Sequence, residues 1–99
     1  MSNIPARRVL SWDDLEQPGD FIFTTRVGTE AHCGIVFLCP CGCGSHGALT
    51  LNVPEAEGLH GPRWEWDGNE EAPTLTPSIQ KLDDCRWHGY LTAGQWRQY

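Results

Sequence analysis

Basic side chains are scarce in this chain: seven Lys plus Arg stand against thirteen Asp plus Glu in 99 residues, a formal charge of −6. A surface that tracks phosphates needs a basic excess on at least one face, so this balance argues against a nucleic-acid reader. Long apolar runs are also missing. The longest, Gly34 to Cys39, falls far short of the roughly twenty residues that a helix needs to cross a bilayer. Ser11-Trp12-Asp13-Asp14 follows Arg7 and Arg8 after only Val9 and Leu10, leaving no apolar core for a secretory signal, so a cytoplasmic address is expected. Neither H-E-x-x-H nor the deaminase pairing of H-x-E with P-C-x-x-C occurs, which removes two familiar catalytic zinc spacings. No segment carries an apolar stripe at helical spacing, and repeats and low-complexity stretches are absent.

The chain does offer a series of short alternating runs separated by Gly and Pro. Asp20 to Arg26 and Ala31 to Cys39 are rich in aromatic and β-branched residues, and Gly47 to Val53 places Leu49, Leu51 and Val53 on one face before Pro54; all three read as strands. Residues 31–53 thus predict a hairpin with a cysteine cluster at its tip. Trp64-Glu65-Trp66 is a short strand closed by the turn Asp67-Gly68-Asn69. Thr74 to Leu82 alternates again, with Leu75, Ile79 and Leu82 as core candidates, and Pro73 before it and Pro77 within it predict an edge or bulged strand. The tail from His88 reads as a final hairpin turned at Ala93-Gly94. Residues 1–19 read as a lead-in with one helical turn capped by Ser11, and residues 20–99 as a single all-β domain, a sandwich or partly open barrel of short antiparallel strands. A domain this small buries only about 60–70% of its unfolded surface, so a staple is useful.

Five cysteines are available for one. Cys39-Pro40-Cys41-Gly42-Cys43-Gly44 is followed by Cys85-Arg86-Trp87-His88, two clusters of soft donors of the kind that hold tetrahedral zinc. A reducing compartment favours such a metal site over disulfides. Cys39, Cys41, Cys43, Cys85 and His88 make five donors for four positions, and spacing does not choose between Cys41 and Cys43. Cys33 reads as a buried small hydrophobe. His46 is either a turn histidine or an alternative ligand, and His32 and His60 read as solvated. Of the five tryptophans, Trp64, Trp66, Trp87 and Trp96 all fall after Arg63 and read as core and cover for the metal site. Trp64 and Trp66 share one strand face, with Glu65 on the other.

The motifs C-P-C-G-C-G at 39–44, W-E-W-D-G-N at 64–69, A-P-T-L-T-P-S-I at 72–79 and C-R-W-H-G-Y-L at 85–91 together resemble a family of small uncharacterised proteins of bacteriophages and bacteria, often labelled ammonia monooxygenase. That label conflicts with a small chain lacking a membrane span. The resemblance implies the same five candidate ligands, and protein partners through relatives in ubiquitin-like conjugation or defence gene clusters. The function expected on these grounds is a protein-interaction module built on one structural Zn2+, a phage accessory or host-interaction protein. The alternatives are a small zinc hydrolase, with His46, Glu65 or Asp67 as general base, and a virion or structural protein.

Overall fold

The computed structural model describes residues 3–26, 28, 30–81 and 85–98; the core candidate Leu82 lies outside them. Eight strands form one sheet: β1 (Asn3–Pro5), β2 (Phe21–Thr25), β3 (His32–Leu38), β4 (His46–Leu51), β5 (Arg63–Trp66), β6 (Leu75–Gln80), β7 (His88–Thr92) and β8 (Gln95–Gln98). Their order across the sheet is β1-β8-β7-β6-β5-β4-β3-β2. The fold is all-β, and no α-helix occurs among the described residues. It is mixed rather than wholly antiparallel, because β4 and β5 pair in parallel through Thr50 with Arg63 and Leu51 with Trp64. The long polar connection between them, residues 52–62, gives the chain room to return to the same end of the sheet.

The sheet curls into a partly open barrel. Asn3–Pro5 pairs with β8, and just beyond it Val9 N–H donates to Phe21 O while Phe21 N–H donates to Arg7 O. One short segment therefore touches both ends of the strand order. Asp20 holds this closure: its buried carboxylate accepts from Arg7 Nε at 3.0 Å and Arg7 Nη2 at 2.6 Å, and from the N–H groups of Glu16 and Gln17. Burial alone would push the Asp20 carboxyl up, but the guanidinium and the backbone donors outweigh it and hold it below its ordinary range.

Inward-facing residues of β2, β3, β4, β6, β7 and β8 fill the interior: Phe21, Ile35, Phe37, Leu49, Leu51, Leu75, Ile79, Leu91 and Trp96 are buried. Trp96 packs on Phe37 with ring centroids 4.7 Å apart and on Trp87 edge-to-face at 5.7 Å, and its Nε1 donates to Gly19 O. Cys33 is buried, as a small hydrophobe should be. Trp64 and Trp66 pack against this core rather than forming an exposed strip. Around Ser11 there is only a 3-10 turn at Trp12–Asp14, and the Ser11 hydroxyl bonds the Asp14 side chain instead of capping backbone.

β6 carries the predicted bulge. Its register against β7 shifts between Leu75 and Ile79, where Pro77 follows a cis peptide bond, yet the strand lies inside the sheet between β5 and β7. Ile79 then faces Gly89 and Gln80 faces His88. By alternation this puts Ser78, Gln80 and His88 on the outer face and Ile79 and Leu91 in the core.

Candidate functional site

The tip of the β3–β4 hairpin brings three cysteines onto a fourth. Gly42 N–H donates to Cys39 O and Cys39 N–H to Ser45 O, which closes the loop, and Gly42 (φ +88°) and Gly44 (φ +85°) supply the left-handed backbone that the curl requires. Cys85, in the connection from β6 to β7, completes the group. The four sulfurs of Cys39, Cys41, Cys43 and Cys85 lie within 4.8 Å of one another, with Cys39 Sγ 3.2 Å from Cys41 Sγ and 3.4 Å from Cys85 Sγ. Tetrahedral zinc with sulfur at about 2.3 Å spaces its ligands roughly 3.8 Å apart, so this donor set fits one such ion. Cys39 and Cys85 form its inner side and Cys41 and Cys43 its exposed side.

Charge around the cluster favours at least one thiolate. Hydrogen bonds from the Ser45 hydroxyl and backbone N–H pull the Cys43 thiol down to about 6, whereas burial pushes the Cys39 thiol up. Ser45 Oγ lies 3.0 Å from Cys43 Sγ and also accepts from Lys81 Nζ. Lys81 is buried. Lys81 Nζ donates to Ser45 Oγ, which is itself in hydrogen-bond contact with Cys43 Sγ, so the three groups form one chain.

His88, the fifth candidate ligand, stands elsewhere. Its Nε2 is 3.0 Å from Ser78 Oγ, across the β6–β7 ladder on the outer face. A hydroxyl and an imidazole within hydrogen-bond reach are the two groups that a pairing of nucleophile and general base requires. Both side chains are partly buried. Ser78 O accepts from Trp64 Nε1 at 3.3 Å, which ties the serine backbone to β5. The other sequence candidates for a base serve local structure. Glu65, opposite Thr76 on β5, accepts from Asn52 Nδ2; Asp67 Oδ1 accepts from the N–H groups of Asn69 and Thr74; His46 stacks on Trp12 at 4.9 Å. His60 is exposed, and His32 stacks on Phe23 at 4.2 Å.

Ser78 and the Ser45–Lys81 pair have no counterpart in the sequence reading. Ser78 stands in a P-S-I run with no nucleophile signature, ten residues from its histidine. Only the register of β6 against β7 brings the two together.

No curated protein and no solved structure matches this chain. A family model does, over residues 8–99, and its description is a bacterial ubiquitination-like system serine protease, BubE. This corrects two expectations. The resemblance to uncharacterised phage and bacterial proteins labelled ammonia monooxygenase gives way to a bacterial protease family, and so does the phage accessory reading. The non-catalytic binding module gives way as well, and the hydrolase alternative stands closer to the family, with serine in place of metal-bound water. With that match spanning nearly its whole length, the chain belongs to the BubE family.

Proposed function

We propose that this protein is a serine protease that cleaves protein substrates of a ubiquitination-like system, with Ser78 as nucleophile and His88 as general base. The observation that carries this reading is the 3.0 Å contact between Ser78 Oγ and His88 Nε2 in a chain of the BubE family. In the productive tautomer His88 carries its proton on Nδ1, so Nε2 can accept from the serine. Ser78 Oγ attacks the carbonyl carbon of the scissile peptide while its proton passes to His88 Nε2. The C–N bond breaks as the departing amine takes that proton, leaving an acyl ester on Ser78. Water then attacks the ester carbonyl, gives a proton to His88, and releases the carboxylic acid as Ser78 Oγ regains its hydrogen.

Ser45 with Lys81 is the competing pair of serine and base. Its hydroxyl is engaged on both sides, accepting from Lys81 and lying 3.0 Å from Cys43 Sγ. That double engagement ties the hydroxyl to the cysteine cluster, whereas Ser78 Oγ faces an imidazole nitrogen. Ser45 therefore serves the cysteine cluster.

Cys39, Cys41, Cys43 and Cys85 hold one structural zinc ion in this reading. Four sulfur ligands make a closed site whose chemistry is cross-linking rather than activation of water. Reduced thiols agree with a cytoplasmic setting. The cluster joins the β3–β4 tip to the β6–β7 connection three residues before His88, so it fixes where that histidine enters its strand.

The test is cleavage of ubiquitin-like fusion proteins by single variants. Ser78→Ala and His88→Ala are each expected to slow turnover by at least about 10³-fold, and the double variant to be no slower than either, because the two act as a unit. Full loss in Ser45→Ala with turnover preserved in Ser78→Ala would overturn the assignment.

A further inference from the structure

β5 is shorter than the strands on either side of it. It pairs with β4 only at Thr50 and Leu51 and with β6 only at Thr76 and Leu75, so among the described residues no strand stands between β4 from His46 to Leu49 and β6 from Ser78 onward. Where both flank β5 they stand two strand spacings apart, about 9.5 Å, and the space past the start of β5 is therefore roughly one strand wide. A cavity of about 310 Å³ occupies it. Phe37, Leu49 and Ile79 contribute its apolar lining, Trp64 closes its β5 end, and no residue of 59–62 reaches it.

Backbone polarity in this space follows from the ladder bonds on either side. Cys39 N–H donates to Ser45 O, and Leu38 N–H donates across to Asp20 O on the β2 side. With Leu38 opposite His46 and Val36 opposite Ala48, alternation turns the N–H and C=O of His46 and Ala48 away from β3 and into the gap. On the far wall Lys81 N–H donates to Trp87 O, so Gln80, opposite His88, directs its own N–H and C=O away from β7 and into the same gap. Both walls thus offer main-chain donors and acceptors in the pattern of strand edges, and Ser78 lies on the β6 wall two residues from Gln80.

We propose that an extended segment of the protein substrate enters this gap as an added strand, pairing through its backbone with His46 and Ala48 on one side and Gln80 on the other. This rests on the assignment of Ser78 as nucleophile for its purpose, but not for its geometry. Paired on two sides, the segment is held straight alongside the serine, and recognition depends on main-chain groups with weak demands on side chains.

The probes are a pool of acetyl-tetrapeptide diphenyl phosphonates with randomised side chains and the same pool N-methylated at alternate backbone nitrogens. Labelling of the protein by the unmethylated pool is expected to be about tenfold faster, the loss from one or two main-chain hydrogen bonds. In Ala48→Pro that ratio is expected to fall toward one, because proline there removes a donor facing the gap without removing a β3–β4 bond. Should the proline variant fail to fold, the comparison of the two pools on the unaltered protein still decides. Separately, an unreactive pool of acetyl-tetrapeptide amides at millimolar concentration is expected to slow hydrogen exchange at the His46, Ala48 and Gln80 amides of Ser78→Ala. Equal labelling by both pools with unchanged exchange overturns the gap while leaving the nucleophile standing. Slowed exchange with no phosphonate bound to Ser78 supports the gap and overturns the nucleophile instead.

Discussion

Ser78 and Ser45 show how little a residue type says about its role. Both hydroxyls sit within 3.0 Å of a reactive group, His88 Nε2 for one and Cys43 Sγ for the other. What separates them is the partner: Ser78 Oγ faces an imidazole nitrogen, whereas Ser45 Oγ is held between Lys81 Nζ and the Cys43 sulfur. Ser45→Ala should therefore preserve protease turnover to within about tenfold while weakening zinc retention by 10–100-fold, the usual effect of losing a group that orients a metal ligand. Competition with a chromogenic chelator reads the second effect. Cysteines and histidine were legible in the sequence because soft donors cluster in recognisable spacings. Ser78 was not, since the contact on which its proposed role rests is made only through strand register. His88 stood out in the sequence as a candidate metal ligand three residues after Cys85, whereas in the structure its Nε2 contacts Ser78 Oγ.

Strands were the most readable elements, because alternation of apolar and polar side chains is a direct consequence of the pleat. The β3–β4 and β7–β8 hairpins stand where the runs around the cysteine loop and Ala93-Gly94 place them. β1 was not readable: three residues ending in proline carry no periodicity, and Asn3–Pro5 is a strand only because β8 is there to pair with it. The parallel pairing of β4 with β5 was hidden for the same reason, since direction depends on how residues 52–62 return the chain. Closure of the barrel at the N-terminal segment depends on the Arg7–Asp20 pair, and Asp20→Ala should cost about 3 kcal/mol by leaving the guanidinium and two backbone donors unmatched. Because the folded-state pKa of Asp20 is depressed, its contribution is complete above the unfolded-state pKa and disappears as pH falls through the lower folded-state value. Urea melts from pH 7 to pH 2 should show a steeper acid loss in the unaltered protein than in Asp20→Asn.

At the scale of the whole molecule, two devices compensate for a small core: the Trp96 cluster inside and the cysteine cluster at one end. Trp96→Ala should cost about 3–5 kcal/mol, measured by denaturant unfolding, since the indole is buried against Phe37 and Trp87. Chelation, or Cys85→Ser, should lower the melting temperature and abolish turnover together, because the bridge from the β3–β4 tip to the β6–β7 connection also fixes His88. An unchanged melting temperature after verified metal removal would contradict the staple. No helix among the described residues is long and apolar enough to cross a membrane, and the acidic surface inferred from composition bears on solubility and partner charge rather than on catalysis. The account stands or falls on the identity of the nucleophile. Treatment of the intact protein with an alkyl fluorophosphonate, followed by peptide mapping in a mass spectrometer, reads it directly: a single adduct on Ser78 that disappears in His88→Ala is the predicted result, and an adduct on Ser45, or none on any serine, would contradict it.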